Sequence, residues 1–376
     1  MQPLDALTRV IDEVVAPNAD DVDRNGTFPR AAIDALGTAG ILGLMSASDV
    51  GGAGLGLDTA AEVVQRIGSE CASTAMVVMM HYAAVAAIDA HGPRDTREAI
   101  AAGRHLSTLA FSEVGSRSHF WSPVGTATSD DGSVLLNGKK SWVTSAGEAD
   151  SYVWSSRPLA ADGPMTLWLV PSDARGLSVT GPFDGLGLRG NASRPVTGTD
   201  VRVPQTAILG PDGQGLDLAL QVVLPVFLVL NASASIGIMR AVVDQATRHL
   251  TSTRFEHRDE SLAQQTLPRV DLARMQLQTD AVATLVGDAL AAAGAGREDA
   301  MLRVLEVKAA AAEAAVDVTD LALRVCGGAA FRKELGIERR FRDARAARVM
   351  APTTEALLDF VGRALTGLAL LDEVNA

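Results

Sequence analysis

The sequence predicts an α+β fold in which helices come first, strands fill the middle and helices return at the end. Three observations carry this. Apolar residues recur at the helical period up to about residue 104 and again from about 213. Between them, residues 105–212 break into short runs rich in Val, Thr, Trp and Leu, separated by turn signals. The chain has 376 residues, 47% apolar and 21% charged, the make-up of an ordered chain with a large core. The expected parts are a helical domain over 1–104, a β domain over 105–212 and a helical bundle over 213–376.

In the first part, Leu57, Ala60, Ala61, Val63, Val64 and Ile67 mark one helix face. Thr59 and Glu62 have capping-box spacing at its start. Residues 73–90 are almost wholly apolar, as in a helix buried on several sides. Gly51, Gly52, Gly54 and Gly56 precede these helices. A phosphate-binding loop would need a Lys-Ser/Thr end and a preceding strand, so the glycines predict a plain turn.

In the second part, Asp131-Gly132, Asn137-Gly138, Asp162-Gly163 and Asp184-Gly185 are turn signals. Asn137-Gly138 predicts a hairpin between two apolar runs. About seven strands at this spacing predict a small barrel or sandwich. In the third part, helices are expected over 216–230, 232–256, 267–294, 298–326 and 353–370. Breaks fall at Gly294/Gly296, Gly327-Gly328 and Pro352.

Charge and cysteine narrow the function classes. The 33 Lys and Arg against 45 Asp and Glu leave a net charge of −12, which gives no global footprint for nucleic acid. Cys71 and Cys326 are too far apart for metal spacing or a disulfide framework, as expected in a reducing compartment. The first residues lack a basic-then-apolar signal, so a cytoplasmic protein is expected. The apolar stretch Leu218–Met239 is interrupted by Gln221, Pro225 and Asn231, which predicts a buried helix and no membrane span.

The usual catalytic motifs are missing. His81, His105, His119, His249 and His257 form no HxxxH or HExxH pair, so no metal site is expected. No GxSxG elbow and no GxGxxG after a strand occurs, which removes serine hydrolases and Rossmann nucleotide sites. Trp142 and Thr144 stand two apart and would face one side of a strand, where they could hold a planar heterocycle; a packing Trp beside a surface Thr is the plainer reading. The run 338–348 is either an anion patch or a solvated or subunit-facing helix end.

Five segments together resemble the acyl-CoA dehydrogenase family. They are 50–74, 109–119, 136–154, 185–216 and 326–345, in the family's order and over nearly the whole chain. The resemblance implies an N-terminal helical domain, a central β-barrel domain and a C-terminal four-helix bundle. It implies FAD between the β domain and the bundle, completed by a neighbouring subunit in a homotetramer or homodimer. Carried over by position, Phe111, Ser112 and Ser118 would line the flavin and pyrophosphate region. Trp142 and Thr144 would cover the isoalloxazine. Arg254 would reach a neighbour's pyrophosphate, and Gly327, Gly328 and Thr353 would flank the adenine side or the ring.

The departures from the family bear on chemistry. The family removes an α-proton with a glutamate while the β-hydrogen passes to the flavin. Its usual place, six residues after the arginine-aspartate-alanine run, is Ala351, and the second family location is Phe227. Neither side chain can accept a proton. Further departures are Val114, His119, His257, Arg324 and Leu228, the last where the family carries an arginine. Three groups are candidates for a relocated base: Glu355, one helical turn beyond Ala351, then His119 and His81. The expected function is FAD-dependent α,β-dehydrogenation of an acyl thioester, on CoA or a carrier protein, with an electron-transfer partner. The alternatives are a flavin oxidase or monooxygenase on the same fold, and a non-catalytic subunit paired with an active homologue. The missing arginine leans towards a carrier-protein pantetheine.

Overall fold

The computed structural model describes residues 3–116 and 119–371. Helices α1 (Pro3–Val10), α2 (Ala16–Asn25), α3 (Arg30–Thr38), α4 (Leu57–Glu70), α5 (Ala72–His91) and α6 (Arg94–Ala101) come first. Eight strands follow: β1 (Ser107–Ala110), β2 (Thr126–Asp130), β3 (Ser133–Val143), β4 (Ser151–Ser156), β5 (Thr166–Pro171), β6 (Leu177–Val179), β7 (Arg194–Pro204) and β8 (Ile208–Leu209). Helices α7 (Gly215–Leu218) and α8 (Leu224–Ser252) lead to a short hairpin of β9 (Arg254–Phe255) and β10 (Glu260–Ser261). The chain ends with α9 (Thr266–Ala295), α10 (Ala300–Cys326), α11 (Ile337–Ala344), α12 (Ala346–Val349) and α13 (Thr354–Thr366).

Helix α5 buries every residue from Ala72 to Val85, because α4, α8 and β1 all pack on it. That is why its sequence carries no polar face. Helix α4 starts one turn earlier than the capping-box spacing predicts. Gly56 is its extended N-cap, and Thr59 lies inside the first turn, donating to Asp58 Oδ1. The approach of α8 to α4 needs Gly237, where a Cβ would sit 2.3 Å from Gln65 O.

The strands form two four-stranded sheets, β1-β4-β5-β8 and β2-β3-β7-β6. All neighbours are antiparallel except β1 and β4. The predicted hairpin at Asn137-Gly138 is not there. The tight turn is at Asp131-Gly132, with φ of +44° and +78°, the double positive φ of a primed hairpin turn. Asn137-Gly138 lies inside β3 at a register shift against β7. There Asn137 exchanges hydrogen bonds with Asp200, Nδ2 to Oδ1 at 3.0 Å and Asp200 N–H to Oδ1 at 2.9 Å. Gly138 seats the buried Trp154 of the other sheet: a Cβ would stand 3.1 Å from its ring. A bulge and a turn share Asn-Gly chemistry, and only the partner strand decides between them.

Lys140 of β3 pins the two sheets. Its buried ammonium donates to Glu113, to Ser155 O at 2.6 Å and to Ser155 Oγ at 2.8 Å. Glu113 in turn accepts the N–H groups of Val124 and Gly125. Burial pushes the Lys140 amine down to about 8, against the pull of Glu113.

Helices α8, α9, α10 and α13 pack together as the C-terminal bundle. The break expected near residue 231 does not occur: Gly215–Ser252 is continuous, with a π turn at Ala219–Val223. Ser233 and Ser235 donate back to Val229 O and Asn231 O, so these polar residues satisfy themselves within the helix. Ala72–His91 and Gly215–Ser252 are long and apolar enough to span a membrane by composition, but both are mostly buried against other helices.

The arginine-rich run is neither a solvated end nor an anion patch. Arg339 and Arg340 are buried. Arg339 pairs with Asp20 at 2.8 Å, and Arg342 holds Asp23 at 2.6 and 2.9 Å. Asp343 accepts Leu188 N–H at 2.6 Å, and burial raises its carboxyl to about 6. The run ties the first helices and the end of the strand region to the bundle.

Candidate active site

A cleft with about 70 Å³ of free volume opens where helices α5 and α8, strand β3 and the 351–352 segment meet. Its polar walls are Ser112 and Ser141, and its aromatic walls are Phe111, Phe120, Trp142 and Phe227. Phe111 and Phe120 stack with ring centroids 6.5 Å apart. Met80, Leu109, Val223 and Leu224 add to the apolar lining. Ala351 and Phe227 both face this cleft. The two positions where a carboxylate is expected from the family pattern therefore converge on one space. Among the described lining residues none carries a carboxylate or an imidazole.

Strand β3 ends in a second register shift, between Lys140 and Val143, and Trp142 has φ of +56°. The added residue reverses the alternation of side chains. Trp142 is 71% exposed at the rim, and Thr144 is 1% exposed behind it, sharing a hydrogen bond with Ser193 Oγ at 3.2 Å. The expectation that these two share a face is therefore corrected. A left-handed conformation costs a bulky residue about 1 kcal/mol or more. Here it holds a bare indole face beside two hydroxyls, which fits a planar flavin ring.

The other expected cofactor residues scatter in this chain. Ser118 lies outside the described residues. Arg254 is exposed on the β9–β10 hairpin and donates to Asp259 O and Oδ1 at 2.8 and 2.6 Å. Gly327 and Gly328 follow α10 on the surface, and a Cβ on either would meet open space. That leaves room for a group from outside the chain. Thr353 caps α13, accepting Ala356 N–H at 3.4 Å beside the cleft residue Pro352.

Of the three candidate bases, His81 is corrected by its contacts. It is fully buried, accepts Ser107 N–H on Nδ1 at 3.1 Å and lies 3.2 Å from Leu42 O through Nε2. Both ring nitrogens are engaged, and burial lowers its pKa to about 4, so it stays neutral. Its neighbour Met80 faces the cleft instead. His119 is exposed, 4.9 Å from the Trp121 ring, which packs on Phe120. Glu355 is exposed in the first turn of α13. Neither lines the cleft.

Sequence reasoning missed Lys308. Its ammonium is fully buried and donates to Ala347 O at 2.8 Å, Met350 O at 3.0 Å and Pro352 O at 2.8 Å. Burial brings its amine down to about 7, opposed by the charge of Glu355. A signal was present: Lys308 falls four after Val304 and four before Ala312, on the buried stripe of α10. No cluster of metal-ligating side chains occurs among the described residues.

Comparison with known proteins agrees with this architecture. Residues 2–103, 108–214 and 213–366 match the acyl-CoA dehydrogenase N-terminal, middle and C-terminal domains. Human mitochondrial short-chain specific acyl-CoA dehydrogenase is 29% identical over 347 residues, covering 90% of this chain and 83% of its own. The butyryl-CoA dehydrogenase of Megasphaera elsdenii superposes with a TM-score of 0.89 at 23% identity, covering 97% of this chain and 98% of its own. A prolyl acyl carrier protein oxidase superposes with a TM-score of 0.87 at 20% identity, covering 97% and 98%. With its three domains in order and its cleft where helices and strands meet, this chain belongs to the acyl-CoA dehydrogenase family.

Proposed function

We propose that this protein oxidises an acyl thioester across its α and β carbons, with the proton leaving to a group outside the cleft wall. The coarser part follows from the family: the chain is an FAD-dependent oxidoreductase of the acyl thioester-dehydrogenating type. FAD, when bound, supplies the two-electron acceptor. Trp142, Ser112 and Ser141 would hold its ring, and Met80, Phe111 and Phe120 exclude water from the reacting carbons. The observation behind a relocated proton acceptor is that Ala351 and Phe227 leave the cleft wall without one.

The proton acceptor we assign is Glu355. It stands three residues beyond Pro352, a cleft residue, on a helix whose start is fixed by Thr353. Replacing Glu355 by Gln is expected to leave bound FAD in place and stop anaerobic bleaching by acyl thioesters. Bleaching at the wild-type rate would remove Glu355 from this role and pass it to His119.

We further assign the thioester to a carrier protein in preference to free CoA. Leu228 stands where the family carries an arginine, and it is fully buried within an apolar run. The sequence relatives and the butyryl-CoA dehydrogenase fold are named for CoA thioesters, and one similar fold is named for an acyl carrier protein. Comparing bleaching by one acyl group on CoA and on a carrier decides the point; faster reduction by the CoA form overturns it.

A second reading, a flavin oxidase or oxygenase, is favoured by the same apolar wall, because oxygen activation at the flavin needs no thioester base. Protein that is bleached only by an external reductant, and consumes oxygen with substrate present, would support it.

A further inference from the structure

Behind the cleft lies a second hollow of about 20 Å³, walled by Met76, Met79, Asn231, Ser235, Asp343 and Met350. Three pairs of close chain neighbours straddle the two spaces. Met80 faces the cleft and Met79 the hollow. Phe227 faces the cleft, and Asn231, one turn along α8, the hollow. Ala351 faces the cleft and Met350 the hollow. The hollow thus adjoins the cleft along the groove between α5 and α8, and adaptable methionines form part of the partition that separates them.

Asn231 is the unusual group in this hollow. It is 2% exposed, and its Oδ1 has no hydrogen-bond partner in the protein. Its Nδ2 reaches only the weak acceptor Met350 Sδ, at 4.0 Å. The other polar groups there are engaged: Ser235 donates to Asn231 O at 3.1 Å, and Asp343 accepts Leu188 N–H at 2.6 Å. Leaving a buried amide oxygen unpaired is costly, and an apolar residue of the same shape removes that cost.

We propose that the hollow receives the distal end of the acyl group and that Asn231 selects substrates carrying a hydroxyl there. This rests on the acyl thioester reading above. A hollow of about 20 Å³ is the size of one water or one hydroxyl oxygen. A methyl end would leave Asn231 Oδ1 unpaired, so the site discriminates against the unsubstituted chain as well as for the hydroxylated one. Phe227 and Asn231 are four residues apart on α8, an axial rise of about 6 Å.

The test uses the intact flavoprotein and anaerobic bleaching by pairs of acyl thioesters on one carrier. The pairs have equal chain length, with and without a terminal hydroxyl. The wild type is expected to prefer the hydroxylated member at least tenfold in the second-order rate of bleaching. Asn231→Leu, of similar volume, is expected to lose that preference while melting no lower than the wild type. A wild type that favours the unsubstituted chain, or shows no preference, overturns the proposal without any variant. So does a preference that survives in Asn231→Leu. If thioesters bleach the flavin equally with and without the hydroxyl, this inference alone fails. If neither bleaches it while dithionite does, the acyl thioester reading fails and takes this one with it.

Discussion

The ammonium of Lys308 and the carbonyl of Pro352 are joined by a 2.8 Å hydrogen bond inside the protein. Two more bonds, to Ala347 O and Met350 O, spend the remaining protons of the ammonium. A single buried cation on α10 thus organises the segment that presents Ala351 to the cleft. The charge there is satisfied by backbone dipoles, with no carboxylate in contact.

Lys308→Met should leave three buried carbonyls without a donor. A loss of about 3 kcal/mol of stability is expected, since each unpaired group costs about 1–3 kcal/mol and some will relax. Chemical denaturation checks this. As pH rises through about 7, the neutral amine keeps two N–H groups for three carbonyls, so the segment is expected to loosen. Hydrogen exchange of residues 347–353 at pH 6 and pH 8.5 should show it in the wild type and not in Lys308→Met.

His81 should prove structural. His81→Phe strands Ser107 N–H and Leu42 O, at an expected cost of about 2–4 kcal/mol. Below its melting temperature the variant is expected to bleach with thioester within about twofold of the wild-type rate. A loss of reduction with the flavin still bound would return His81 to the chemistry.

Asp343 makes stability depend on pH in a direction that can be worked out. Its pKa is raised to about 6 by burial, from an ordinary 3.8. Between these values the folded state binds more protons than the unfolded one, so its contribution to stability is whole below about 4 and falls as pH rises through 6. Asp343→Asn keeps an acceptor for Leu188 N–H and removes the titration. It should be more stable than the wild type at pH 7 by up to about 3 kcal/mol, with the difference vanishing near pH 4. Denaturant titrations at the two pH values measure it.

Trp142 should matter to the cofactor more than to the fold. Because its indole is 71% exposed, Trp142→Ala is expected to change the stability of the flavin-free protein by less than about 0.5 kcal/mol. The visible bands of bound flavin should shift and the affinity fall by about tenfold. Unchanged bands would place the ring elsewhere.

The sequence by itself determined the order of helices and strands and the buried character of α5, and it led to the expectation that Ala351 and Phe227 stand where the family carries carboxylates. Each is written in local periodicity or in a motif at fixed spacing, which the chain carries whatever it packs against. Only the tertiary structure decided that Asn137-Gly138 is a bulge seating Trp154, and that Trp142 and Thr144 part company. It also decided that the arginine run is an internal strut and that His81 is spent on two backbone groups. Lys308 and Asn231 are the plainest cases. A lysine in an alanine-rich helix and an asparagine in an apolar one look like solubilising residues or breaks. What they do depends on which carbonyls stand within 3 Å and which do not, and that is set by elements distant in the chain.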